Sequence, residues 1–431
     1  MSNVPMTRPE EALAIHDMRC GHGATWVGLE GGRILMSAGQ FTVSDDGGIT
    51  WGEWYPGLDE NGDGVSGPCL VSLAGGAIGM ASMRRRPGAE NPYETEMLFR
   101  RSEDEGKTWS PPVVMNQCLL RAHALQDTMI RTESGRIILP VYCGLGQGIF
   151  HQEGAPFVGG YLNGNFISTD AHFYDPHFSV SYVLYSDDEG ETWQPNRNGE
   201  LFILLDDVTT WYGAAEPSVV EVTPGNLMMV VRTRLGRLFQ AFSDDNGETW
   251  SRLVSTQLAG SQAPGQIRKL PETGHLLVVW TQQSEQEVRQ GFIRTRLSSA
   301  ISRNQGGIWE HFQNVHSLHE ETHVEPGPIH ITRPQARYHI DHSAAVECDV
   351  DAVVSLPEGY GRWSYPSVFV AEDRVFISHT YGVHDSTTAE HTTPPGSSKL
   401  KVLPISWFYG GDDPKRESTV LTKIATLPPK P

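Results

Sequence analysis

The side chains that could do chemistry here are histidines and carboxylates placed beside apolar runs. His22 and His123 each stand just ahead of a run that reads as a strand. An imidazole there can serve as a general base near neutral pH, or as an ordinary hydrogen-bonded structural residue. Asp59-Glu-Asn61-Gly-Asp63-Gly64 opens like a calcium loop, but Leu70 occupies the twelfth position, where a bidentate carboxylate is required, so a turn in an acidic loop is expected. His311, His316, His319, His323, His330, His339 and His342 crowd one segment. His319 and His323 would share a face only on a helix, and no helical period supports one, so no metal is expected.

Such groups need a scaffold, and internal repeats define it. Ser44-Asp-Asp-Gly-Gly-Ile-Thr-Trp51 recurs with the pattern Ser-x-Asp-x-Gly-x-Thr-Trp from Ser102, Ser186 and Ser243. A worn copy runs from Ser302, with Asn304 for the Asp and Ile308 for the Thr. The residue types are those of a tight turn between strands. A short Asp side chain bonds the backbone two residues on, a Gly supplies a positive φ, and a Trp returns the chain to a strand and buries its ring. Upstream of each copy lies an apolar run, a Gly-containing turn and a second apolar run. Examples are Thr25–Leu29 with Arg33–Met36, Ser218–Val222 with Leu227–Val231, and Ser367–Val370 with Arg374–Ser378. These are hairpins. Six hairpins, each followed by a strand pair joined at an Asp-containing turn, give an all-β, six-bladed β-propeller, the sixth box surviving at most as Ile405-Ser-Trp-Phe-Tyr-Gly-Gly-Asp. The expected organisation is an N-terminal extension over 1–20, the propeller over 21–410 with insertions at about 145–182 and 310–360, and a tail over 411–431.

These boxes and hairpins, spanning about Gly21 to Trp407, resemble the sialidase (neuraminidase) superfamily of six-bladed Asp-box (BNR-repeat) propellers. The resemblance implies a carbohydrate-active glycoside hydrolase that releases a terminal acidic sugar from a glycan, without a cofactor. It places the family's Glu and second Arg at Glu216 and Arg232, sixteen residues apart, the third Arg at Arg294, and the nucleophilic Tyr at Tyr365. Physically, Arg forks bind a planar carboxylate, a Tyr hydroxyl needs a carboxylate to take its proton, and an anionic sugar would repel a carboxylate nucleophile. As a structural alternative, Glu216 could cap a strand end and pair with Arg232 as a buried ion pair.

The sequence departs from the family in two places. The first-arginine motif reads Ser66-Gly-Pro-Cys69, with Ser66 in the Arg position, and the acid/base loop offers Glu90 or Glu94 in place of an Asp; Glu94 is taken as the candidate acid. A lyase cleaving beside a uronic acid is therefore the alternative. In it His123, with Tyr212 or Tyr365, moves the protons and Arg232 neutralises the carboxylate, with His22 and Tyr212 also in the binding site. A non-catalytic glycan-binding propeller is the third reading.

Composition narrows the partners. Lys+Arg total 33 against 52 Asp+Glu, a formal charge of −19, and Arg84–Arg86 is the one tight basic run, so a nucleic-acid partner is not expected. No apolar stretch reaches membrane-spanning length and no secretion signal stands at the N-terminus. The expectation is a cytoplasmic protein, or a secreted one if a signal has been trimmed. Cys20, Cys69, Cys118, Cys143 and Cys348 lack Cys-x-x-Cys spacing, so neither a disulfide framework nor a thiolate zinc site is expected. The substrate is expected to be an acidic carbohydrate, and oligomeric state is left open. The insertion Phe150–Tyr182 carries Phe150, Phe157, Tyr161, Phe166, Phe173 and Tyr174, aromatics able to stack on sugars or on one another.

Overall fold

A computed structural model describes residues 11–18, 23–88, 95–115, 122–144, 159–162, 165–168, 179–204, 211–261, 263–289, 294–329, 331–332, 345–346, 361–383 and 397–415. Its six larger sheets are antiparallel blades that follow chain order. Blade 1 is Thr25–Gly28, Ile34–Ser37 and Phe41–Ser44, with Tyr55 bridging to Phe41. Blade 2 is Cys69–Ser72, Ile78–Arg85, Thr95–Ser102 and Val113–Val114. Blade 3 sets Ala122–His123 and Ile130–Arg131 on Ile137–Gly144, followed by Ser179–Ser186 and Gln194–Pro195. Blade 4 is Ala215–Thr223, Asn226–Arg232, Arg237–Ser243 and Val254–Ala259; blade 5 is Gly265–Lys269, Leu276–Thr281, Arg296–Ser302 and Glu310–Ser317. Blade 6 takes Gly361–Ala371, Arg374–Val383 and Ser398–Pro404 from one end of the chain and its outer strand, Ala14–Met18, from the other.

Three boundaries thus differ from the sequence reading. Ala14–Met18 lies in the stretch expected to precede the propeller. Ser179–Ser186 and Glu310–Ser317, expected inside or at the edge of insertions, are blade strands. Of the first insertion, a short hairpin of Gly159–Leu162 and Asn165–Ser168 is described; Phe150, Phe157, Phe173 and Tyr174 lie outside the described residues. The one α-helix among the described residues is Glu285–Arg289, and no described helix is long and apolar enough to cross a membrane.

The core is six wedges, one between each pair of neighbouring blades. Strand alternation explains it, because successive side chains point to opposite faces and both faces are covered. Leu276 and Val278 pack toward blade 4, whereas Leu277 and Val279 pack toward blade 6. That is why the run Leu276–Trp280 is continuously apolar.

The boxes follow the third strand of each of the first five blades, and their bonding differs from expectation in one respect. The Asp reaches four residues on, not two: Thr50 N donates to Asp46 Oδ1 at 2.9 Å, and Thr108, Thr192 and Thr249 amides each donate to their box Asp at 2.8 Å. The Thr hydroxyls donate to the second oxygen, and Thr50 holds the Asp46 carboxyl down to about 2. A carboxylate so held has no proton to give near neutral pH. The box Ser hydroxyl accepts the Gly amide, as in Gly48 N to Ser44 Oγ at 2.7 Å, and Gly48 sits at φ 85°. In the worn copy Asn304 still accepts Ile308 N at 2.7 Å. Blade 6 carries a 3-10 turn, Ile405–Tyr409, in this place.

Near the axis, equivalent positions of the inner strands are polar and tie each blade to the next. Thr25 Oγ1 accepts Leu70 N at 2.9 Å, Ser218 Oγ accepts Ile267 N at 3.2 Å, and Gln266 Oε1 accepts Val368 N at 2.8 Å. Asp127, 5% exposed, accepts Thr25 Oγ1 at 2.7 Å and Trp26 N at 3.2 Å on blade 1, and pairs with Arg268 of blade 5 at 3.0 Å. One carboxylate thus pins blades 1, 3 and 5. Burial pushes it up to about 6 even though Arg268 opposes the shift.

Candidate active site

Glu216 is the second residue of blade 4's inner strand, followed by Pro217. Tyr365 is followed by Pro366 in blade 6's inner strand. Proline brings no N–H to the ladder, and register slips at both places, between Ala215 and Ser218 and between Ser364 and Ser367. Glu216 sits at φ 49°, Tyr365 at φ 54° and Arg294, just ahead of blade 5's third strand, at φ 56°. Left-handed backbone costs a non-glycine residue about 1–2 kcal/mol. Three such residues converging on one spot mark a place where side-chain direction outweighs local comfort.

They converge with Arg232, the last residue of blade 4's second strand. Arg232 Nη1 donates to Glu216 Oε2 at 2.7 Å and to Tyr365 Oη at 3.1 Å, while Tyr365 Oη donates to Glu216 Oε1 at 3.2 Å. Each of the three groups touches the other two. The Glu216 side chain is 5% exposed and that of Arg232 13%. Burial alone would lower the Arg232 pKa, but Glu216 and Tyr365 beside it hold the guanidinium firmly charged. The Arg294 guanidinium lies over the Tyr365 ring, 5.1 Å from its centroid, with Nη1 3.4 Å from Ser364 Oγ. Burial lowers its pKa, with Tyr365 opposing. The arrangement suits a phenol that gives its proton to Glu216 while Arg232 stabilises the phenolate.

His123 sits one side chain further out. Its ring stacks on Tyr142 at 5.5 Å, and Tyr142 in turn lies within electrostatic reach of Arg232. Sequence reasoning missed Tyr142, although counting from the hairpin turn puts it in blade 3 where Arg232 stands in blade 4. Tyr212 lies on the strand Trp211–Tyr212, paired with Ile203–Leu204. His22, Glu90 and Glu94 lie outside the described residues.

The described members of the two metal-candidate segments have protein partners of their own. Asp59 Oδ1 accepts Asn61 N at 2.9 Å and Asp63 N at 3.0 Å, and Arg100 lies against Asp59 and Glu60, so the acidic loop is a turn with its own cation. His311 and His316 are on a strand, His319 meets Glu287 at 3.1 Å, and His323 stacks on Phe312 at 3.8 Å. His330, His339 and His342 lie outside the described residues. Among the described residues no cluster of His, Cys, Asp and Glu could hold a metal.

A repeated-blade propeller with this axial cluster defines a class, and the chain belongs to the BNR repeat-like domain family, which matches residues 38–377. Over 265 residues it is 24% identical to a sialidase of Paraclostridium sordellii, covering 58% of each chain. Over 240 residues it is 25% identical to a sialidase of Bacteroides fragilis (strain YCH46), covering 50% of this chain and 37% of that one. The chain thus spans little more than half, or less, of these relatives' length. Among solved structures the Hadza microbial sialidase Hz136 superposes with a TM-score of 0.54 at 14% identity, covering 92% of this chain and 67% of that one, a likeness of fold. In sequence the chain is thus similar to sialidases, and in fold to a sialidase propeller.

Proposed function

We propose that this protein is a glycoside hydrolase that removes a terminal acidic sugar, sialic acid or a near relative, from a glycan. The observation that carries the reading is the closed contact of Tyr365, Glu216 and Arg232. Tyr365 Oη attacks the anomeric carbon and passes its proton to Glu216, while the glycosidic oxygen leaves with a proton from an acid placed at Glu94. Water then attacks the anomeric carbon and gives a proton back to Glu94, while the departing Tyr365 oxygen recovers its proton from Glu216 and the sugar leaves free. Arg294 and Arg232 face the sugar carboxylate, whose charge they match. The two sialidase relatives support the substrate class.

A second reading, elimination beside a uronic acid, is favoured by the His123–Tyr142 stack next to Arg232. Incubation with sialosides and with uronate-containing polysaccharides separates the two. Free acidic sugar without an unsaturated product supports hydrolysis. Growth of the unsaturated product's ultraviolet absorbance supports elimination and overturns the first reading. Inactivity on every substrate, with ligands still bound, points to a glycan-binding propeller.

A further inference from the structure

Arg294 and Arg296 are two residues apart on one extended segment, a spacing that in a regular strand puts both side chains on the same face. Here they diverge. Arg294 lies over the Tyr365 ring, whereas Arg296, 1% exposed, runs to Glu287 in the short helix Glu285–Arg289. The divergence comes from the left-handed backbone at Arg294, φ 56°, a conformation that must be held by its neighbours.

Backbone bonds hold it, Trp363 N donating to Arg294 O at 2.9 Å, and one carboxylate oxygen ties down the side chains that follow. Glu287 Oε1 takes Arg296 Nη2 at 2.8 Å and lies 3.1 Å from His319 Nε2, which is itself 2.9 Å from Thr295 Oγ1. Glu287 is fixed in turn by a reciprocal cap, its Oε2 accepting Ser284 N at 2.6 Å and its own amide donating to Ser284 Oγ at 3.2 Å. Leu318 N and Gln282 N close the backbone of Thr295 and Arg296 at 3.0 and 2.9 Å. The side chains of both residues that follow Arg294 are therefore tied to Glu287, Arg296 directly and Thr295 through His319. Among the described residues Arg296 Nε and Nη1 find no hydrogen-bond partner, so Glu287 makes the guanidinium's hydrogen bond, with Glu321 adding its charge from further off.

We infer that Glu287 is a positioning residue: by anchoring Arg296 and, through His319, Thr295, it forces the backbone turn that aims Arg294 at the substrate carboxylate. The inference rests on the acidic-sugar reading above. Its test measures binding of free sialic acid and of its methyl ester to the full chain by calorimetry. Wild type is expected to prefer the acid, and Arg294→Ala to lose that preference. Glu287→Gln is expected to weaken acid binding about tenfold, the worth of one misdirected hydrogen bond to a charge, with ester binding unchanged. The double variant Glu287→Leu with Arg296→Met removes both buried charges and so stays folded if the single variant does not. It is expected to lose the preference as well. A wild type indifferent to acid and ester sinks the acidic-sugar reading itself. A wild type that discriminates, an Arg294→Ala that does not, and either Glu287 variant discriminating like wild type overturn the positioning role alone.

Discussion

Replacing Glu216 by Gln tests the proposed chemistry most directly. Its carboxylate is 5% exposed and bonds both Arg232 and Tyr365, so the charge does two jobs. Structurally, removing one partner of a buried ion pair costs about 3–5 kcal/mol, against a typical domain stability of about 5–15 kcal/mol. Gln keeps an oxygen to accept the Arg232 N–H, so its cost falls to about 1–2 kcal/mol and the fold survives. Chemically, Gln cannot take the phenol proton, and loss of a general base costs about 10²–10⁴ in turnover, equivalent to about 3–5 kcal/mol of barrier. The assay is kcat on an aryl sialoside, with thermal melting and product binding measured on the same preparation. The expected result is a folded protein that binds and does not turn over. A variant that retains more than about a tenth of wild-type turnover would refute Glu216 as the base.

Tyr365→Phe is expected to be equally inactive while keeping the ring under Arg294, so that acid binding is retained; detectable hydrolysis would remove Tyr365 from the nucleophile role. His123→Ala is expected to leave hydrolysis within a fewfold of wild type, and an unsaturated product that wild type forms and this variant does not would favour elimination. Asp104→Ala breaks contacts to Thr108 N, Thr108 Oγ1 and Ser102 Oγ and is expected to cost about 1–2 kcal/mol in melting experiments with KM unmoved. Burial lowers His379 to about 3, with Lys401 adding to the shift, so the unfolded chain binds more protons than the folded one between about pH 6.5 and 3. Stability is therefore full above pH 6.5 and lost as pH falls through that window, by about 2 kcal/mol at pH 5 from this group. His379→Gln should flatten the slope, and an unchanged slope would locate the acid sensitivity elsewhere.

The repeats were legible because a turn needs particular residues at particular offsets. Ser44, Asp46, Gly48 and Thr50 each supply a bond or a dihedral that few other residues supply. The hairpins were legible because both faces of each strand are buried, which writes an apolar run. Glu216 and Tyr365 could be singled out by resemblance, and both carry the local string x-Pro-Ser-Val that marks the slipped ladder. What could not be read was direction. Resemblance picks out Arg294, but only a backbone dihedral sends it to Tyr365 while Arg296, two residues on, goes to Glu287. Pairings between blades, Asp127 with Arg268 or Tyr142 beside Arg232, join residues 141 and 90 positions apart that no local pattern connects. The outer strand Ala14–Met18 escaped for the same reason: its partner is nearly the whole chain away.

That last strand sets a clock. During synthesis Ala14–Met18 emerges first and then waits, because Ser398–Pro404 leaves the ribosome hundreds of residues later; Lys399 and Asp17, paired at 2.6 Å, are 382 positions apart. By the time blade 5 is made, Glu216, Arg232 and Arg294 are all present, yet no tyrosine stands opposite them. Tyr365 arrives on the blade that the first strand must close. Tyr365 is thus the last of the four groups to be synthesised, so a chain made only through blade 5 carries Glu216, Arg232 and Arg294 without the candidate nucleophile.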